Sequence, residues 1–596
     1  MTNAADIADE QFVLGQRSMD VGQLEQAEAH FRASLDADPA RATTHYQLGS
    51  AYSVLGRHSE AAIAYLRALE LEPDLVGARY DLGVTFLRLG RLLDALACFL
   101  RTTEVDPAHV EAYNGIGAAL VQMGRGVDAI PAFERALAIN PGHSLARAQL
   151  MFQLARLCAW DRLAPHLPMV PQLGIVGSAV PPFTMLAFED DPARHRARSE
   201  YYAEDNYRRL MALPAPSRPA VRPDRLRIGY FSSDFHEHAT MFLAAGMFEM
   251  HDRERFSIHC YSYGRPSGDP LRSRLLAAVD GFHDISGIDN LAAAETARRD
   301  GIDIAIDLKG FTKGNRVPIF AHRAAPVQIG FLGYPGTSGA PFIDYLVVDR
   351  TVVPEEHRSA YSERLLFMPH CYQPNDDQRA IAGQRPTRSD VGLPQNGFVF
   401  CCFNDTYKIS PVEFGIWMGL LKRIEASVLW LIAGTDLAIT NLRAAAAAHG
   451  VDPDRLIFAA RIGQLDHLAR QRLADLFLDT FNCNAHTTAS DALWAGLPVL
   501  TKVGEGFAAR VAASLLTAVG MTDLIASSVE DYAELAFGLA TNPDRLKGIR
   551  ATLAANRKVM PLFDSHRFTR HLETGFDLAY HRYLVGEAAA DIHIPA

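Results

Sequence analysis

Over its first quarter the chain repeats one pattern of small, apolar and aromatic positions every 34 residues. Gly15, Gly49, Gly83 and Gly117 form one column, and Gly22, Gly56, Gly90 and Gly124 a second. Ala27, Ala61, Ala95 and Ala129 form a third, the aromatics Phe31, Tyr65, Phe99 and Phe133 a fourth, and Pro39, Pro73, Pro107 and Pro141 a fifth. Five columns do not share one period by chance. A unit of this length is two amphipathic helices: small residues sit where the helices approach, an aromatic fills the gap, and proline starts the turn into the next unit. The pattern predicts four units, near 6–39, 40–73, 74–107 and 108–141. The repeated residues pack and do no chemistry, and such arrays bind extended peptides or partner proteins on a concave face.

From Gly142 the period decays, although 146–163 still reads as helix, and a proline-rich stretch at 213–223 marks a boundary. The texture then changes to short β-branched or aromatic runs between helical stretches and glycine-rich turns. Runs at 226–231, 304–308 and 345–348 belong to one block, and those at 398–403, 428–432, 456–458 and 476–479 to the next. This alternation predicts βαβ units and parallel sheets. The expected organisation is therefore repeats over 6–141, a helical transition and linker over 142–223, and two Rossmann-like lobes over 224–385 and 386–585. Ligands of such lobes sit at the carboxyl ends of the strands.

Composition narrows the class. With 48% hydrophobic and 21% charged residues the 596-residue chain is a folded, soluble protein. A net charge of -11 argues against a partner held mainly through nucleic-acid phosphates. No apolar run reaches the length of a membrane span, and residues 1–10 lack the order of a signal peptide, so a cytoplasmic location is expected. The seven cysteines are scattered and never spaced C-x-x-C, which points to buried free thiols.

The loops at the predicted strand ends carry the chemistry. They read S-S-D-F-H-E-H at 232–238, D-L-K-G-F-T-K-G at 307–314 and F-L-G-Y-P-G-T-S-G at 331–339 in the first block. In the second they read F-N-D-T-Y-K at 403–408 and N-C-N-A-H-T-T at 482–488, ahead of a helix from about Ala489. Hydroxyls at a helix start cap it, and free N–H groups with the helix dipole attract an anion, so Thr487 and Thr488 fit a phosphate. Lys408 supplies a point charge in the same lobe. Asp-x-Asp occurs only at 36–38 and 452–454, away from these strand ends, and His236 with His238 lacks a third ligand. No metal or other cofactor is expected, and the protein itself must neutralise a diphosphate.

The helix-pair repeat resembles the tetratricopeptide repeat. Followed in order by these loops, by H-T-T-x-x-D-x-L-W-A-G-x-P and by G-E-G-F-A-A-R-V-A-A-S at 504–514, it resembles the O-linked N-acetylglucosamine transferases, glycosyltransferase family 41. The resemblance implies a GT-B fold and an inverting, metal-independent enzyme. Such an enzyme moves a sugar, first of all N-acetylglucosamine from its UDP donor, to Ser or Thr of proteins recruited by the repeats. By motif it implies His238 as a candidate general base, Lys408 on the diphosphate, and Thr487 and Thr488 on the β-phosphate. It places His486 and the Leu332–Gly333 turn near the sugar, His467 and Arg470 at the base, and Asp491 at the ribose. Bacterial relatives modify flagellin with other sugars, which makes a flagellin or surface-protein transferase the alternative, and a non-catalytic repeat scaffold a third. The chain departs from the family pattern at Asp405, where Gln or Asn is common, and at Gln464, where animal enzymes carry Lys and where nearby Arg461 can substitute. The Asp405 carboxylate is expected either to accept from a sugar hydroxyl, selecting the donor, or to pair with Lys408.

Overall fold

The computed structural model describes residues 4–210, 212–384 and 386–596. The chain divides into two compact units, one through Gln153 and one from Leu154.

In the first unit, Ala4–Asp20 pairs with Leu24–Ala37, Ala42–Val54 with His58–Leu71, Val76–Arg88 with Leu92–Val105, and Val110–Gln122 with Gly126–Ile139. The alanine column is wholly buried, and so are the four aromatics. The two glycine columns answer different needs. A Cβ on Gly15, Gly49, Gly83 or Gly117 would lie 2.3 to 2.7 Å from the ring of Phe31, Tyr65, Phe99 or Phe133, so these glycines let the paired helices close on an aromatic. Gly22, Gly56, Gly90 and Gly124 have open space around them but φ between +71° and +79°, which turns the chain from one helix to the next.

The second unit begins with a folded segment. The proline-rich stretch 213–219 has neither helix nor strand, but ahead of it Pro192–Tyr207 is helical and its Arg198 is 1% exposed. That guanidinium donates to the carbonyls of Leu173 (2.7 Å) and Val170 (3.1 Å) and pairs with Glu189 at 2.6 Å.

Two parallel sheets follow. The first holds β1 (Leu226–Ser232), β2 (Phe256–Ser262), β3 (Gly281–Asp284), β4 (Ile304–Asp307), β5 (Val327–Gly330), β6 (Tyr345–Asp349) and β7 (Arg364–Met368). The second holds β8 (Val399–Cys402), β9 (Val428–Ile432), β10 (Leu456–Ala459), β11 (Leu476–Leu478), β12 (Val499–Lys502) and β13 (Ile525–Ala526). The chain then returns, because β14 (Ile592–His593) pairs with β7. Among the described residues the orders are β14-β7-β6-β5-β4-β1-β2-β3 and β10-β9-β8-β11-β12-β13. Strands such as β4 and β9 are buried at every position, as sheets covered on both faces require.

The order reverses beside β1 and β4 in the first sheet and beside β8 and β11 in the second. Crevices open at such switch points, beyond the carboxyl ends of the strands. The motif loops 232–238, 307–314, 403–408 and 479–488 leave from these four strands. One element lies elsewhere than the sequence placed it. The helix Ser565–Val585, read with the second lobe, packs on the first, where it buries Phe568, Leu572 and Phe576, and its Glu573 accepts from His251 at 3.0 Å.

Adding a methyl group at Gly117 is expected to overpack the repeat. The Cβ would meet the Phe133 ring at 2.3 Å, and such insertions cost about 1–3 kcal/mol. Thermal unfolding of Gly117→Ala should show the first unit melting earlier, whereas an unchanged transition would show that the ring has room to move.

Candidate functional site

A cleft of about 530 Å³ lies between the strand ends of the two sheets. Its lining includes His238, Gly333, Asp405, Lys408, His467, Arg470, His486, Thr487, Thr488 and Asp491, ten of the eleven residues singled out from the sequence. Leu332 is not among the lining residues. It packs partly buried against the core with φ +68°, a left-handed conformation unusual for a side chain of its size. Beside it, a Cβ on Gly333 would sit 2.2 Å from the Leu308 carbonyl oxygen, so only glycine fits that wall of the cleft.

The second lobe supplies the anion-attracting part. The helix Thr487–Ala495 begins two residues earlier than the sequence implied, and its N-cap, His486, makes no side-chain capping bond. Thr487 and Thr488 are the first helical residues, and the hydroxyl of Thr488 donates to Asn404 Oδ1 at 2.6 Å. The first-turn N–H groups are thus left without a side-chain cap, at the positive end of the helix dipole. Lys408 leaves a short turn after β8 and its Nζ donates to the Asn484 carbonyl at 2.7 Å, which aims the ammonium at that helix start. His486 Nε2 donates to the Ala508 carbonyl at 3.2 Å. Burial, with Lys408 nearby, pushes its imidazole down to about 3, so it stays neutral and leaves Nδ1 as an acceptor.

A second cluster forms the far wall. Arg470 lies over Phe403 and Trp430, donates to the Ala460 carbonyl at 2.6 Å, and directs its guanidinium at His467 Nδ1 (2.9 Å). Burial lowers Arg470 to about 10 and, together with Arg470, lowers His467 to about 4. The result is a neutral, immobilised ring suited to stacking. Asp491 is nearly buried, its Oδ1 2.6 Å from Arg379 and its Oδ2 accepting from Gln464 at 3.0 Å. Burial raises its carboxyl and Arg379 opposes that. Asp405 does not pair with Lys408. It pairs instead with Arg461, both of them exposed and both lining the cleft.

Several residues in or behind the cleft wall had been given no role from the sequence. Phe183 comes from the segment read as a transition, and its ring lies 6.4 Å from that of Tyr407. Asn404 stood inside a quoted motif but had no assigned role, and Arg379, behind Asp491, had no pattern around it. Among the described residues no three His, Cys, Asp or Glu side chains gather as a metal-ligand set, and no helix is long and apolar enough to cross a membrane. All seven cysteines are free, six of them buried.

Helix-pair repeats followed by two parallel sheets with a charged interlobe cleft define a tetratricopeptide-repeat protein with a GT-B-type catalytic domain. The chain belongs to glycosyl transferase family 41, whose model matches residues 211–384 and 381–572, and tetratricopeptide-repeat models match 12–75 and 80–144. It is 37% identical over 459 residues to a probable UDP-N-acetylglucosamine–peptide N-acetylglucosaminyltransferase SEC of Arabidopsis thaliana, covering 74% of this chain and 47% of that one. It is 30% identical over 474 residues to the UDP-N-acetylglucosamine–peptide N-acetylglucosaminyltransferase of Caenorhabditis elegans, covering 61% of this chain and 41% of that one. The chain spans about half the length of these relatives or less. A solved structure of a mutant Thermobaculum terrenum O-GlcNAc transferase superposes with a TM-score of 0.67 at 27% identity, covering 91% of this chain and 98% of that one.

The Asp405–Arg461 pair generates a prediction. An exposed ion pair is worth about 0–1 kcal/mol, so a diphosphate entering the cleft would take Arg461 from Asp405, while the carboxylate would repel it by on the order of 1 kcal/mol. By calorimetry, Asp405→Asn is expected to bind UDP several-fold more tightly and Arg461→Gln several-fold more weakly. Equal affinities in all three proteins would place both side chains outside the reach of the phosphates.

Proposed function

We propose that this protein transfers a sugar, N-acetylglucosamine from UDP-N-acetylglucosamine, to serine or threonine hydroxyls of proteins that its repeats recruit. The observation that carries the reading is the convergence of Lys408 and the uncapped start of the Thr487–Ala495 helix on one cleft. This is the arrangement a departing nucleoside diphosphate needs. The base stacks at His467, the ribose lies by Asp491 and Gln464, and the sugar faces His486 and Gly333. The acceptor hydroxyl, on the His238 side, attacks the anomeric carbon opposite the diphosphate. A C–O bond forms to the acceptor, whose hydroxyl proton passes to solvent, the bond from the anomeric carbon to the β-phosphate oxygen breaks, and UDP leaves with that electron pair. The negative charge it gains is met by Lys408 and the helix N–H groups. A flagellin acceptor or another nucleotide sugar keeps the same chemistry. Asp405 and Gln464, at the two positions where the chain departs from the family pattern, are the residues on which a different donor would depend.

Lys408→Ala tests the reading. Losing one electrostatic contact to developing charge costs about a hundredfold or more in kcat, with the melting temperature held. Near-normal transfer of labelled N-acetylglucosamine to a protein acceptor by the purified variant would remove Lys408 from the mechanism. Thermal stabilisation across UDP-, GDP- and CMP-sugars identifies the donor, since a ligand that binds only the folded state raises the apparent stability.

Charge neutralisation by Lys408 and the helix start also leads us to propose that no metal is needed. Excess EDTA is expected to leave transfer unchanged, and a large loss restored by magnesium or manganese would overturn this.

A further inference from the structure

His238 lines the cleft and is held there by a buried ion pair. It is the N-cap of the helix Ala239–Met250, its Nδ1 accepting the Thr240 N–H at 3.2 Å, with Thr240 Oγ1 at the same distance. A neutral imidazole that accepts at Nδ1 carries its proton on Nε2, and that Nε2 has no hydrogen-bond partner among the described residues. The same Nδ1 lies 3.4 Å from Asp234 Oδ2. A carboxylate in that place ordinarily favours the opposite state, with a proton on Nδ1 or a full imidazolium.

Lys309 removes that pull. Its Nζ is 2.5 Å from the same Asp234 Oδ2, and both side chains are buried. The pair is itself fixed. Asp234 accepts from the Ser233 hydroxyl (2.9 Å), its N–H donates to Ser232 Oγ (2.9 Å), and the Lys309 N–H donates to Asp307 Oδ1 (2.8 Å). Burial raises the Asp234 carboxyl, but Lys309 and His238 outweigh it and hold it below the usual range. Burial pushes His238 below its ordinary value, Asp234 opposes the shift, and Lys309 and His236 add to it.

We infer that Lys309 is a positioning residue for His238: by neutralising Asp234 it leaves Nδ1 to the Thr240 backbone and keeps the proton on Nε2, so that His238 meets the incoming hydroxyl or the sugar as an Nε2–H donor and not as the general base that the family resemblance implied. The catalytic consequence rests on the transferase reading, whereas the state of the ring does not.

Nitrogen-detected NMR of the full-length, histidine-labelled protein, with His238→Gln for assignment, reads the ring without substrate. The wild type is expected to show the Nε2–H tautomer at pH 7 and a pKa below about 6.5. A ring protonated on Nδ1 at that pH would overturn the inference with no substitution made. Lys309→Met exposes His238 to an unbalanced carboxylate and should raise its pKa by about one unit or more. Lys309→Arg should restore the wild-type value, and Lys309→Met with Asp234→Asn should return it most of the way. A His238 pKa unmoved in a folded Lys309→Met protein sinks the inference, and so does a rise that Asp234→Asn fails to reverse. If transfer fails in the wild type while these shifts appear, the transferase reading is wrong and the ion-pair reading stands. If transfer occurs, the acid limb of kcat/KM should move with the NMR pKa.

Discussion

The carboxylate of Asp479 is fully buried at the end of β11, and the loops of the second lobe are built around it. Its Oδ1 accepts from the Ala485 N–H at 2.6 Å and from Asn404 Nδ2 at 3.3 Å, and its Oδ2 accepts from Thr501 Oγ1 at 2.7 Å. One side chain therefore ties together the ends of β8, β11 and β12. Burial pushes its carboxyl up to about 7, against the donors that favour its charge. Lys408 and the start of the Thr487–Ala495 helix both hang on this knot. Asn404 passes it to Thr488, and the 480–486 turn that wraps it presents the Asn484 carbonyl to Lys408. The lysine and the helix start thus converge because they share a support. A carboxylate with so many donors directed at it cannot be dropped without leaving buried polar groups unpaired, at about 1–3 kcal/mol each.

The first lobe solves a different problem. Its loops hold a neutral, directional histidine close to charged groups, and the Asp234–Lys309 pair cancels the field that would otherwise protonate the ring. The segment ahead of the sheets completes the enclosure. Asn482 donates to the Ala187 carbonyl at 3.1 Å, and Asp190 accepts the N–H groups of Glu505 (2.8 Å) and Gly506 (2.6 Å), which ties this segment to the second lobe. A few residues before these anchors, Phe183 lines the cleft.

The repeats were legible because each helix pair faces the same packing problem, so the solution recurs in the sequence every 34 residues. What the period did not separate was why two glycine columns exist, since a close approach and a positive φ select the same residue type. Buried parallel strands were legible as apolar runs, yet β3, with the sequence G-F-H-D, and the two-residue β13 and β14 are too short or too polar to stand out. The return of the C-terminal helix to the first lobe was not legible either, because an amphipathic pattern says that a face is buried but not against what. At the site, loops at strand ends were readable as a class. The partners were not: Lys309, Arg379 and Asp479 act through side chains distant in sequence, and Arg461 reached Asp405 from a loop whose distance to it no spacing encodes.

The connection between the lobes also supports the cleft wall at Asp491. Arg379 belongs to the chain that leaves β7 and enters β8, and its guanidinium is paired with Asp491 while its own carbonyl accepts from Trp494 Nε1 at 3.1 Å. Removing one member of such a buried pair strands the other charge, at about 3–5 kcal/mol, so Asp491 is not free to swing toward a ligand. With Oδ1 committed to Arg379 and Oδ2 to Gln464, it is a fixed acceptor whose oxygens any ligand must share. Gln464 is then the adjustable partner. A neutral amide gives up its hydrogen bond at less cost than Arg379 would give up a buried ion pair. The cleft wall at Asp491 is therefore a neutral amide in front of a carboxylate anchored in the interlobe connection.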